Sequence, residues 1–135
     1  MKRKRMEVLP ALLVLLSALL TVGVLTFLGP CVHEDGSRGT CHWAGRACAV
    51  TGGVLCAMSL LALVIRRPSV RAGLYLGMVP AALAAAVLPG GVIPLCMMAT
   101  MRCQSVMKPA MLLTGILIAL LAAAAAWARL RQDKP

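Results

Sequence analysis

The chain has 135 residues, of which 61% are hydrophobic and 13% charged, with a formal net charge of +10. A mean hydropathy of +0.90 lies outside the range of soluble globular proteins, in which about half the residues are apolar, and marks an integral membrane protein. Aromatic residues make up only 3% and the basic residues cluster between long apolar runs, a pattern that excludes the basic, stacking face of a nucleic-acid binder.

The apolar runs cover residues 8–28, 44–65, 72–88 and 110–128. Each is near the roughly 20 residues a helix needs to cross a hydrocarbon layer about 30 Å thick. A lipid-embedded backbone must satisfy its own hydrogen bonds, and the alternating pattern of a barrel strand is absent, so the runs are predicted to be helices. The expected fold is all-α: an integral membrane four-helix bundle of two tandem helical hairpins, one domain over residues 1–135, with outer loops at 29–43 and 89–109.

Lys2, Arg3, Lys4 and Arg5 precede the first run, Arg66, Arg67 and Arg71 separate the second from the third, and Arg129, Arg131 and Lys134 follow or end the fourth. With four crossings these ten of the fourteen basic residues share one side, and the positive-inside rule makes that side, and both termini, cytoplasmic. The first run is longer than a signal-peptide core and has no small-x-small exit, so it is read as a retained helix. Leu28-Gly29-Pro30-Cys31 resembles a lipoprotein cleavage box, but Pro30 stands where such boxes carry a small residue.

The first outer loop holds Cys31, His33, Glu34, Asp35 and Arg38, and then Cys41, His42 and Trp43. Gly36-Ser37 and Gly39 mark a turn that puts Cys31 and Cys41 at the feet of a hairpin. Phe27 and Trp43 are expected at the outer headgroup level, Tyr75 and Trp127 at the inner one. Cys48 and Cys56, eight residues apart on the second span, are read as small packing residues. Arg46, in the first turn of that span, can extend its head outward. On the third span Gly73, Gly77, Ala81 and Ala85 recur every four residues, a stripe along which another helix can approach closely. Packing within the bundle is the reading favoured over a homodimer face. Pro80 lies inside this span, and Pro109 is expected at or near the first helical position of the fourth, where a missing N–H is harmless.

Between Pro94 and Pro109 lie Cys96, Met97, Met98, Met101, Cys103 and Met107. Both outer loops begin with a proline and a cysteine and close with a second cysteine. A Thr-Gly pair follows in each half, Thr51-Gly52 and Thr114-Gly115, which suggests an internal repeat about an axis along the membrane normal. Cys31, Cys41-His42-Trp43, Cys96-Met97 and Met101-Arg102-Cys103, together with four spans, resemble a bacterial and archaeal family of small membrane proteins catalogued as a domain of unknown function. Gln104 departs from the His or Arg expected there. The resemblance implies a four-helix fold with an outer cysteine face, in a prokaryotic plasma membrane; association of some members with export-type ABC transporters points to a membrane-protein partner. It implies no activity.

Three readings follow from the outer residues. In an oxidising exterior Cys31, Cys41, Cys96 and Cys103 form structural disulfides, in any of three pairings. Alternatively Cys96, Met98, Met101 and Cys103, with Met97 and Met107 nearby and His33 and His42 opposite, supply the thiolate, thioether and imidazole ligands of a Cu(I) site. In the third reading the cysteines form a thiol-disulfide oxidoreductase, with His42 and Arg102 lowering the thiol pKa, although no Cys-x-x-Cys pair is present. No catalytic residues are identified, since no acidic or basic side chain lies deep in a span and Glu34 and Asp35 have no evident nucleophile and base beside them. The favoured function is a non-enzymatic accessory protein or subunit of a membrane complex, without a cofactor, whose contacts are the lipid bilayer and a membrane-protein partner or second copy.

Overall fold

The computed structural model describes residues 2–27, 40–95, 97, 100 and 103–132. It contains four long helices: α1 (Lys2–Thr26), α2 (Thr40–Val64), α3 (Pro68–Val87) and α4 (Lys108–Gln132). All four are long and apolar enough to cross a membrane, and among the described residues no strand is formed. The protein is a multi-pass membrane four-helix bundle. α1 packs chiefly on α2 and α3 chiefly on α4, while the seams between α2 and α3 and between α1 and α4 are lighter.

The buried positions follow a pattern that overall hydrophobicity hides. Along one seam they are Pro10, Leu13, Ser17, Leu20 and Val24 on α1, Cys41, Gly45, Cys48, Gly52, Leu55, Ser59 and Ala62 on α2, and Arg71, Tyr75, Met78, Ala82 and Ala85 on α3, with Ala44, Ala72 and Ala86 buried beside it. The steps alternate between three and four residues, the spacing of a left-handed bundle seam. α4 continues the seam through Met107, Met111, Gly115, Ile118, Ala122 and Ala125. The seam is built largely from small side chains, while Leu12, Leu15, Leu19, Val50, Leu76, Leu83, Leu113 and Leu120 face outward. Lipid tails solvate leucine as well as a protein interior does, so size rather than polarity decides which face turns inward.

Two glycines mark the closest approaches, one in each hairpin. A Cβ on Gly52 of α2 would lie 2.6 Å from Thr21 Oγ1 and 2.9 Å from Leu20 Cδ2 of α1. A Cβ on Gly115 of α4 would lie 2.7 Å from Ala86 Cβ and 2.8 Å from the Ala82 carbonyl oxygen of α3. Thr51 and Thr114, which precede these glycines, each donate to the carbonyl one turn back, at Ala47 and Ala110. The buried hydroxyls are satisfied in the same way: Ser17 Oγ donates to Leu13 O at 2.8 Å and Ser59 Oγ to Leu55 O at 2.7 Å.

The start of α2 differs from the sequence expectation, and the end of α3 and the start of α4 agree with it. Cys41-His42-Trp43, expected in a loop, form part of the first turn of α2. At the far end of α3 the turn Leu88–Val92, with Gly90 at φ 89°, ends the helix. Pro109 is the second residue of α4, as expected, and the π-turn Cys103–Met107 leads into the helix ahead of it. A wider turn is accommodated just before a proline, whose missing N–H interrupts the α-helical ladder in any case.

The α2–α3 connection is only three residues, and Arg71 fixes it. Its guanidinium turns back to donate to the last carbonyls of α2, Nε to Ile65 O at 2.5 Å and Nη2 to Leu63 O at 3.1 Å. Those carbonyls have no helical donor of their own, and a cation at a helix C-terminus also faces the negative end of its dipole. One turn on, Tyr75 is 1% exposed and belongs to the core. This corrects its expected place in the headgroup belt, because it occupies the seam that begins at Arg71. Phe27, Trp43 and Trp127 are exposed as expected, and Arg131 lies over the Trp127 ring at 5.1 Å.

Candidate functional site

The outer end of α2 contains the described part of the expected site. Cys41 is 2% exposed and points into the bundle, Trp43 is 60% exposed on the outer surface, and His42 lies between them. The His42 and Trp43 rings meet edge to face, with centroids 6.1 Å apart and planes at 81°. A cleft of about 260 Å³ opens between the end of α1 and the start of α2, lined by Val24, Leu25, His42, Gly45 and Arg46. His42 Nε2 is shielded from solvent and has no hydrogen-bond partner among the described residues. An imidazole nitrogen of this kind can ligate a metal, and Arg46 one turn later adds a cation to the same cleft.

Two further thiols lie along α2. Cys48, one heptad after Cys41, is fully buried, and Cys56 is half-buried. The four cysteines expected to form bridges are Cys31, Cys41, Cys96 and Cys103. Cys31 and Cys96 fall outside the described residues, and of Cys103 only the backbone, at the start of the π-turn, is described. His33, Met98 and Met101 of the soft-metal set also fall outside them, which leaves His42 as its described side chain. Among the described residues no three His, Cys, Asp or Glu side chains converge.

The methionines divide into two groups. Met107 and Met111 are 1% and 0% exposed and fill the bundle core at its outer end, whereas Met97 is fully exposed. Met107, grouped with the outer thiols as a soft ligand, is therefore a packing residue. An unbranched thioether suits the wider space that small neighbours leave.

The stripe Gly73, Gly77, Ala81 and Ala85 also divides. Ala85 is buried and Ala81 half-buried, but Gly77 and Gly73 are exposed. A Cβ on Gly77 would meet only the end of Met58 at 3.0 Å, and one on Gly73 would meet nothing within 4 Å. Steps of four residues advance about 40° around a helix, so the stripe spirals off the seam as it descends. The upper half packs within the bundle and the lower half faces out.

Family membership rests on a match that spans the bundle. The sequence pattern defining the family described as "Domain of unknown function (DUF4418)" fits residues 13–128. The chain belongs to the DUF4418 family. The match opens at Leu13, the first aliphatic residue of the α1 seam, and closes near the end of α4, so the DUF4418 region includes Gly52, Gly115, Arg71 and the His42 cleft. No curated protein and no solved structure matches the chain.

Proposed function

We propose that this DUF4418 protein is a non-enzymatic accessory protein or subunit of a membrane complex, with disulfide-bearing loops on the outer face and both termini in the cytoplasm of a prokaryotic cell. The observation that carries this reading is the filled interior. Among the described residues the buried polar side chains are Ser17, Ser59 and Arg71, and each bonds to a backbone carbonyl of its own or a neighbouring helix. An ion or proton pathway would need ionisable groups along the seam. A tandem repeat of two hairpins is supported by Gly52 and Gly115, each at the tightest point of its hairpin and each preceded by a threonine bonded one turn back. An export-type ABC transporter is the partner class that the family resemblance favours.

The test is twofold. Peptide mapping of protein kept from reductant is expected to return Cys31, Cys41, Cys96 and Cys103 as bridged peptides and Cys48 and Cys56 as thiols. Four reduced outer cysteines would overturn the disulfide reading. Cross-linking in intact membranes is expected to join the chain to a stoichiometric membrane partner, and a lone 14.1 kDa species in every extract contradicts the subunit reading.

One observation favours a second reading. The unpartnered His42 Nε2 beside Cys41 is the donor an outer Cu(I) site would use together with Cys96, Met98, Met101, Cys103 and His33. Stoichiometric Cu(I) after anaerobic loading, lost in a Cys96→Ser, Cys103→Ser protein, is the expected result for that site. Background copper in the unaltered protein rejects it.

A further inference from the structure

At the basic end of the bundle the start of α1, the end of α2 and the start of α3 enclose a second cleft of about 240 Å³, lined by Glu7, Pro10, Leu63, Arg66 and Arg71. This is smaller than the ~300–1,000 Å³ of pockets that take drug-sized ligands. Its charges are of both signs and come from different helices. Arg71 is 8% exposed, and with Nε and Nη2 held by the Ile65 and Leu63 carbonyls its guanidinium is fixed in place at the wall of the cleft. Arg66 supplies a second guanidinium at the α2–α3 turn and Glu7 a carboxylate on α1. Guanidinium groups in such numbers suit the oxygens of a phosphate.

Pro10 lines the α1 side beside Glu7. The Glu7 carboxylate suits a primary ammonium, which has three N–H groups to place. The same carboxylate repels a headgroup that carries only negative charge. Glu7 is the last charged residue before the apolar stretch of α1, and Leu63 is 41% exposed on the outer surface of α2, so the cleft stands at headgroup depth with an apolar edge leading to the lipid-facing surface. Basic pockets between membrane helices are known to hold lipid headgroups; the carboxylate here makes the pocket zwitterion-selective.

We propose that this cleft binds one phosphatidylethanolamine, its phosphate held by Arg66 and Arg71 and its ammonium by Glu7. The assay is lipid retention. The full chain is equilibrated in nanodiscs of equal phosphatidylethanolamine, phosphatidylcholine and phosphatidylglycerol with identical acyl chains, released into detergent, and its bound lipid counted by native mass spectrometry. About one phosphatidylethanolamine per chain is expected, enriched about five-fold over phosphatidylglycerol, the discrimination a partly exposed ion pair gives, and enriched over phosphatidylcholine, whose quaternary ammonium has no N–H to donate. Retention of phosphatidylcholine to the same extent, or a preference for phosphatidylglycerol, would overturn the proposal.

Glu7→Gln is expected to abolish the preference over phosphatidylglycerol and Arg66→Gln to lower retention of every phospholipid. Arg67→Gln, which removes the same charge from the same turn but outside the cleft, is expected to leave retention unchanged. If Glu7→Gln keeps the original selectivity, or Arg67→Gln behaves like Arg66→Gln, diffuse surface charge is responsible and the cleft is not a site. Soluble O-phosphoethanolamine at millimolar concentration is expected to leave the lipid bound; displacement would show that the headgroup alone is recognised and would overturn the assignment of the site to a membrane lipid over a soluble phosphoamine. Helical circular dichroism of each variant separates loss of binding from loss of fold.

Discussion

Replacing Gly115 by alanine sets helix propensity against packing. Propensity alone favours the change by up to ~1 kcal/mol. The new Cβ, however, would lie 2.7 Å from Ala86 Cβ and 2.8 Å from the Ala82 carbonyl oxygen, whereas non-bonded carbons rest at ~3.5–4.0 Å. Both obstacles are backbone or Cβ atoms that no rotamer change can move, so α3 and α4 must separate by about 1 Å. That separation loosens the layers on either side, where Met111, Ile118 and Ala82 are fully buried. Overpacking of this kind costs ~1–3 kcal/mol, and the net result is a loss of about 1–2 kcal/mol. Gly52→Ala is expected to cost less, because its nearest obstacles are the ends of the Thr21 and Leu20 side chains. Gly73→Ala, which meets open space, is expected to be neutral or to stabilise by up to ~1 kcal/mol. Unfolding in mixed micelles by increasing dodecyl sulfate, followed by far-ultraviolet circular dichroism, gives the three midpoints on one scale. A Gly115→Ala protein as stable as the original, or more stable than Gly52→Ala, refutes the close-approach argument.

Arg71→Gln is expected to lower stability by about 2 kcal/mol in the same assay, since it removes charged hydrogen bonds worth ~1.5–3 kcal/mol each; Arg71→Lys should fall between, and an unchanged midpoint would mean the α2–α3 turn does not depend on the cap. Membrane-permeant maleimide should alkylate the half-buried Cys56 well before the fully buried Cys48, which mass mapping reads directly, and equal rates would place Cys48 outside the core. In a Trp43→Phe background Arg131→Gln should shift the Trp127 emission while changing stability by no more than ~0.5 kcal/mol. A larger loss would show that the Arg131–Trp127 contact carries more than an exposed cation–π pair.

The number of helices and their approximate limits were legible because a crossing segment must be long and uniformly apolar. Which face of each helix turns inward was not legible from hydrophobicity, since Leu15 and Leu55 are equally apolar yet only Leu55 is buried. Part of the readable signal is size: Ala82, Ala85, Ala122 and Ala125 recur at three-residue steps on the seam while Leu83, Leu113 and Leu120 face outward, although Ala84, Ala123 and Ala124 are exposed as well. Tyr75 was misplaced because an aromatic near a helix end normally marks the headgroup level, and only the neighbouring Arg71 seam position reveals the other outcome. Arg71 itself read as one of three topology charges, although an arginine shortly after a helix end can equally bond that helix's last carbonyls. Thr51-Gly52 and Thr114-Gly115 were visible as a recurrence, but their role as contact points required the partner helices. The outer cysteine set remains a property of the sequence except at Cys41 and the backbone of Cys103, while the His42 cleft emerged only with α1 beside α2.

The Arg71 clasp makes the molecule mechanically asymmetric. Three residues join the two hairpins at the basic end, and a guanidinium ties the incoming helix to the outgoing one. The halves are joined there. The glycine contacts, in turn, hold each hairpin together internally, so the lighter seams are those between α2 and α3 and between α1 and α4. Movement of one hairpin against the other is thus levered about the Arg71 turn into displacement at the opposite rim, where Cys41 and His42 lie.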